Sequence, residues 1–176
     1  MKDFAHLLLG KGLRSITKSN EVVESVQDQS SFDALFSLLW HHERPLVMRA
    51  ADAVEKITRK HREFLLPHKE QLLSLLKSAI NKELKWHIAQ LVPRLNVDPH
   101  ELKEVWSVLT YWSQNPNESK IVRVNSLQGL FELSQQYPSL RPDFEHTLHT
   151  LEREPIPSIQ ARIKKLRKAL PSSSRQ

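Results

Sequence analysis

Four apolar pairs constrain this chain more than any other feature of it. Val54/Ile57, Val92/Leu95, Leu127/Leu130 and Ile163/Leu166 each stand three residues apart, and the pairs follow one another at intervals of 38, 35 and 36 residues. A three-residue step keeps two side chains on one face of an α-helix. Recurrence at a nearly constant period of this length marks stacked supersecondary units. Ahead of each pair lies a second helical pattern: Leu35, Phe36, Leu38 and Leu39; Leu72, Leu73, Leu75 and Leu76; Leu102, Val105, Trp106 and Leu109; Phe144, Leu148 and Leu151. The repeating unit is therefore a helical hairpin. One hairpin cannot bury its apolar stripe alone, whereas a stack shares a continuous core, so the expected architecture is an all-α solenoid.

With three glycines against ten prolines, the chain has little material for hairpin turns or phosphate-cradling loops. The prolines act as punctuation, because Pro is tolerated in a first helical turn and disruptive farther in. Pro45, Pro67, Pro99, Pro116, Pro142 and the Pro155/Pro157 pair cut the sequence into segments of helical length. In "DPHE", Asp98 reads as an N-cap with Glu101 reaching back from the third helical position. Pro93 alone falls inside a helical pattern, and a kink is expected there. The organisation that follows is a single domain over residues 1–170 and a disordered tail over 171–176. Within the domain, a cap pair over 1–29, from "FAHLLL" and "EVVESV", precedes hairpins at 30–66, 67–96, 97–138 and 139–170.

The stretch "RPLVMRAADAVEKI", residues 44–57, has Pro at the turn between helices and an Arg followed by small residues. It resembles the second helix of a HEAT repeat. "KELKWHIAQLVPRL" and "SKIVRVNSLQGLFEL" keep its apolar register without Ala50 and Ala51, and "PSIQARIKKLRKAL" keeps the register and a basic residue. The period exceeds the 34 residues of tetratricopeptide repeats, whose Trp/Gly/Tyr signature is also missing. The resemblance spans residues 30–170 and implies a small stand-alone HEAT-like protein that presents a curved surface to a macromolecular partner. In such stacks the second helices line the concave side. The resemblance thus implies Arg49, Asp52, Lys56, Lys60, Trp86, Gln90 and Arg123 as partner-binding candidates. Independently of it, Arg49, Lys56 and Lys60 fall on one line opposite the apolar stripe, with Asp52 placed to pair with Arg49 or Lys56. Trp86 sits nearly opposite Leu84, Ile88, Leu91 and Leu95. Trp106 and Trp112 align with Leu102, Val105 and Leu109 and are assigned to the core, while Trp40, at the edge of its stripe, is left open.

Reactive chemistry finds little footing. Without cysteine there is no disulfide framework and no thiolate ligand or nucleophile. His146 and His149 could meet on one helical face near Glu145 or Glu152, yet neither an H-E-x-x-H arrangement nor a well-spaced third ligand accompanies them. "HHERP" at 41–45 reads as a polar turn, and the nine histidines are expected on solvated helix surfaces, with no metal and no cofactor. Nucleophile elbows, P-loops and dinucleotide-binding glycine fingerprints are also missing. No segment approaches the roughly 20 apolar residues that span a bilayer, and "MKDFAHLLLGKGLRS" is wrong for a signal peptide. A cytoplasmic, monomeric, non-enzymatic protein is expected.

The formal net charge of +6 is carried by the last 22 residues, through Arg162, Lys164, Lys165, Arg167, Lys168 and Arg175. Arg162, Lys164, Lys165, Arg167 and Lys168 lie opposite Ile159, Ile163, Leu166 and Leu170, forming an amphipathic basic helix. Such a helix serves either as the solvated face of a terminal repeat or as an electrostatic footprint for nucleic acid, an acidic protein or an anionic membrane surface. A protein-binding scaffold ranks first among the functions. Nucleic-acid binding through a basic face comes second, and an activity resembling the HEAT-like alkylpurine DNA glycosylases a distant third, since Asp52 with Trp86 only loosely imitates their acidic and aromatic requirement.

Overall fold

The computed structural model describes residues 4–9 and 15–170, with the backbone alone for 15–18. Arg175 and the tail over 171–176 lie outside the described residues. Among the described residues there are ten α-helices and no strand. The chain divides into two compact units, Met1–Asn96 and Val97–Gln176, at the junction between the hairpins expected over 67–96 and 97–138.

The first unit holds α1 (Phe4–Leu9), α2 (Ser15–Ser25), α3 (Gln29–Ser37), α4 (Arg44–Thr58), α5 (Lys69–Ser78) and α6 (Lys82–Leu91). Helix α3 starts at Asp28, whose side chain accepts from the Ser31 N–H at 2.7 Å while Ser31 reaches back to the Asp28 N–H. Helix α4 carries Pro45 in its first turn, where no N–H is missed. It is the spine of the unit and packs against α1, α2, α3 and α6. Leu46, Val47, Val54 and Ile57 supply the apolar contacts, and the fully buried Ala50, Ala51 and Ala53 let neighbouring backbones approach. Each buried Leu, Val or Ile contributes roughly 1.5–3 kcal/mol.

Two prolines act differently from expectation. A 3₁₀ stretch, Arg62–His68, contains Pro67, and α5 begins after it at Lys69. Pro93 does not kink a continuing helix: α6 stops at Leu91 and a 3₁₀ turn, Val92–Arg94, follows. With no N–H on Pro93 the ladder ends there. Nor are all the histidines solvated. His68 and His87 are buried. His68 stacks on Phe36 with ring centroids 4.1 Å apart, its Nε2 2.7 Å from Asp33 and its Nδ1 2.7 Å from Gln71. Its apolar faces meet the core while both nitrogens are satisfied.

The second unit holds α7 (Pro99–Gln114), α8 (Lys120–Gln136), α9 (Arg141–Leu151) and α10 (Pro157–Ala169). Asp98 caps α7 by accepting from the His100 and Glu101 N–H groups, and Glu101 returns a bond to the Asp98 N–H at 2.7 Å. Pro116 lies in the following turn, and Ser119 caps α8. Val105, Leu109, Trp112, Leu127, Leu130, Phe144, Leu148, Ile163 and Leu166 form the core. Trp106, assigned to that core from the sequence, is only half-buried, because it stands about 100° round the helix from Val105. Trp40 is exposed in the 3₁₀ turn Leu38–Trp40.

Candidate functional site

Helices α4 and α6 leave between them a cavity of about 300 Å³ lined by Ser19, Met48, Arg49, Asp52, Lys56, Trp86 and His87. The spacing 48, 49, 52, 56 follows one face of α4. When the pairs Val54/Ile57 and Val92/Leu95 are superposed in register, His87 takes the place of Arg49. The same position of consecutive hairpins thus supplies two polar walls of one pocket.

These polar groups are unequally satisfied. Asp52 pairs with Lys56 at 2.7 Å and accepts from Ser19 Oγ at 2.6 Å, while Lys56 also reaches Asn20 Oδ1 at 3.2 Å. Arg49 donates from Nη1 to the Leu8 carbonyl. Its Nε is buried and bonded to nothing, and it forms no ion pair among the described residues. His87 is 1% exposed, and neither of its ring nitrogens has a hydrogen-bond partner. Burial pushes its pKa down to about 4, with Lys56 adding to the effect against the opposing pull of Asp52 and Glu55. The imidazole is therefore neutral at pH 7. Half-buried Trp86 lies over it, ring centroids 3.5 Å apart and inclined by 31°.

The sequence pattern of the HEAT repeat domain matches residues 11–170. The chain belongs to the HEAT repeat family. Its fold class is accordingly the all-α solenoid. No curated protein and no solved structure matches it. Among the described residues no helix is long and apolar enough to cross a membrane.

Of the residues picked from the HEAT repeat resemblance, Arg49, Asp52, Lys56 and Trp86 meet at the pocket. Lys60 is exposed beyond the end of α4, and Gln90 is half-buried with its Nε2 donating to the Trp86 carbonyl at 3.2 Å. Arg123 offers no groove surface: it is 1% exposed, donates from Nη2 to both Glu154 oxygens at 2.7 Å and from Nε to the Ser113 carbonyl at 2.9 Å. Sequence reasoning missed Ser19, Met48 and His87. The repeat register alone marked His87, by placing it on the Arg49 position.

A second polar cluster is structural. Glu55, 2% exposed, accepts from Arg59 at 2.7 Å and from Arg94 at 2.5 Å, and Arg94 also donates to the Glu55 carbonyl and to Thr58 Oγ1. Burial opposes ionisation of Glu55, but the two guanidinium groups outweigh it and hold the carboxyl below its usual range. These partners come from the protein itself, and with its side chain only 3% exposed the carboxylate offers a ligand no approach.

The basic helix α10 is less free than its composition suggests. Burial lowers the pKa of Arg162, which donates to Gln128 Oε1 at 2.8 Å. Arg167 pairs with Glu152 at 2.5 Å. Lys164, Lys165 and Lys168 are exposed, two of them lining a shallow groove with Glu152, Gln160, Ile163 and Arg167. As for metals, the His41, His42 and Glu43 ligand atoms gather within 4.8 Å in the turn before α4. His41 Nδ1 there already accepts from the Glu43 N–H at 3.1 Å. His146 and His149 are both exposed.

Proposed function

We propose that this HEAT repeat chain is a monomeric, non-enzymatic, cytoplasmic scaffold that binds a protein partner through the face shared by α4 and α6. The observation carrying this reading is the pocket in which a half-buried Trp86 adjoins an arginine that forms no ion pair among the described residues. Tryptophan and arginine at the rim of a preformed cavity are the residues on which binding energy concentrates. A catalytic reading is disfavoured by the same geometry. Asp52 Oδ2 is engaged by both Lys56 and Ser19, and the imidazole of His87 beside it bonds to no group that could relay a proton.

The test is capture from a lysate of the native cell on the immobilised full chain, in parallel with Trp86→Ala. A stoichiometric protein should be retained by the wild type and lost by the variant, whose urea midpoint stays close to wild type. Recovery of nucleic acid alone would overturn the reading, as would capture that Trp86→Ala leaves intact. Nucleic-acid binding is the second reading, supported by the exposed Lys164, Lys165 and Lys168 on α10.

A further inference from the structure

We infer that the α4/α6 pocket accepts a single carboxylate of an acidic peptide segment, seated by Arg49 and His87 with its apolar neighbour against Met48 and Trp86. This rests on the scaffold reading and specifies what the partner presents.

Three observations converge on that ligand. The first is unmet bonding. A buried polar group without a partner is costly, and native interiors contain few of them. Here Arg49 Nε and both nitrogens of His87 are orphaned, with almost no accessible surface, on side chains whose residues line one cavity. A neutral imidazole has one N–H to donate and Arg49 Nε another, so the two oxygens of a carboxylate can take one each, with the second imidazole nitrogen left unbonded.

Charge is the second. Arg49 and Lys56 are cationic and Asp52 is anionic, while His87 is neutral, so the lining carries one surplus positive charge. Asp52 already neutralises Lys56. What remains is matched by a monoanion. A phosphate monoester brings about −1.5 to −2, more than the site balances, and Asp52 in the wall repels the excess.

Size and polarity are the third. A space of about 300 Å³ stands at the small end of ligand pockets and is filled by a side chain or two. Met48 and Trp86 give it an apolar flank that a hydrated inorganic anion leaves unused.

The probes are the blocked peptide N-acetyl-Phe-Glu-Phe-amide and its isosteric Gln counterpart, titrated into the full chain carrying ¹⁵N-labelled histidine. The Glu peptide should shift the His87 ring resonances saturably at pH 6, with an affinity at least about tenfold above that of the Gln peptide. It should also raise the His87 pKa above about 4, since a bound carboxylate joins Asp52 and Glu55 in favouring the imidazolium against burial and Lys56. Arg49→Gln should abolish the Glu-over-Gln preference, and Arg49→Lys, which keeps the charge, should retain part of it. Equal affinity for the two peptides overturns the inference, as does a preference indifferent to Arg49→Gln. So does an oligothymidylate that shifts His87 at lower concentration than the Glu peptide. If peptide discrimination fails while Trp86-dependent capture of a protein persists, the carboxylate is wrong and the scaffold stands. If capture fails, the scaffold reading falls on its own test.

Discussion

Arg49 of α4 and Arg123 of α8 sit near the start of corresponding second helices, and one residue of register separates their fates. With Val54/Ile57 set against Leu127/Leu130, the counterpart of Arg49 is Val122, and Arg123 falls on the position of Ala50. One step is about 100° of helix rotation. Arg49 consequently edges a cavity, whereas Arg123 points where Ala50 is fully buried and is itself 1% exposed. A guanidinium in that place requires a counter-charge, supplied by Glu154 in the turn before α10. Among the described residues Arg49 has no carboxylate partner, whereas Arg123 has one of its own. The same residue type is thus an open valence in one unit and a closed structural bond in the other.

The largest expected effect tests the closed bond. Glu154→Ala leaves the Arg123 charge buried without its partner and should lower the stability of the chain by about 2–3 kcal/mol. Arg49→Ala breaks no ion pair and should cost less than about 1 kcal/mol. Urea unfolding midpoints of the two variants decide the matter, and equal losses would erase the contrast between the units.

Next comes pH. His87 has its pKa depressed from 6.5 to about 4 in the folded chain. Between those values the unfolded chain binds more protons, so stability is complete above about pH 6.5 and declines as pH falls toward about 4. The loss is of the order of 3 kcal/mol at most. Glu55, held below the usual range by Arg59 and Arg94, stays ionised through most of that window. His87→Leu should therefore flatten thermal stability between pH 6.5 and 4.5, and a slope that persists would assign the dependence elsewhere.

The smallest effect concerns α10. Replacing Lys164, Lys165 and Lys168 together by Gln should change stability by no more than about 0.5 kcal/mol and leave protein capture unaltered. If the chain instead binds single-stranded DNA and the triple variant lowers the slope of log K against log salt by about 2, the second unit carries a nucleic-acid function and the division of roles drawn above must be reversed.

Much of this was legible in the residues. Three of the apolar pairs fell on α4, α8 and α10 and the fourth, Val92/Leu95, on the turn that ends α6; "DPHE" gave the capping of α7, and Arg49, Asp52, Lys56 and Trp86 were placed together by helical spacing and the HEAT repeat likeness. The burial of Arg123 was also available, since the pair register puts it on the Ala50 position, but a likeness based on residue type ignored a one-residue shift. Other facts depend on distant chain segments. Nothing local to His87 announces a neutral, unbonded imidazole; α4 packing over it removes the water. Nor does the sequence near Pro67 say that the chain takes a 3₁₀ path before α5, because proline ends a helical pattern without specifying which helix precedes it.

The cluster at Glu55 bears on how such chains can be inherited. Arg94 arrives from the hairpin after the one that holds Glu55 and bonds both its carboxylate and its carbonyl. Excising residues 67–96 as a module would strand an ionised acid in the interior with Arg59 alone, and duplicating them would bring an arginine with no acid to meet. These two hairpins are consequently a coupled pair that recombination must transmit together, unlike beads that can be added or dropped singly.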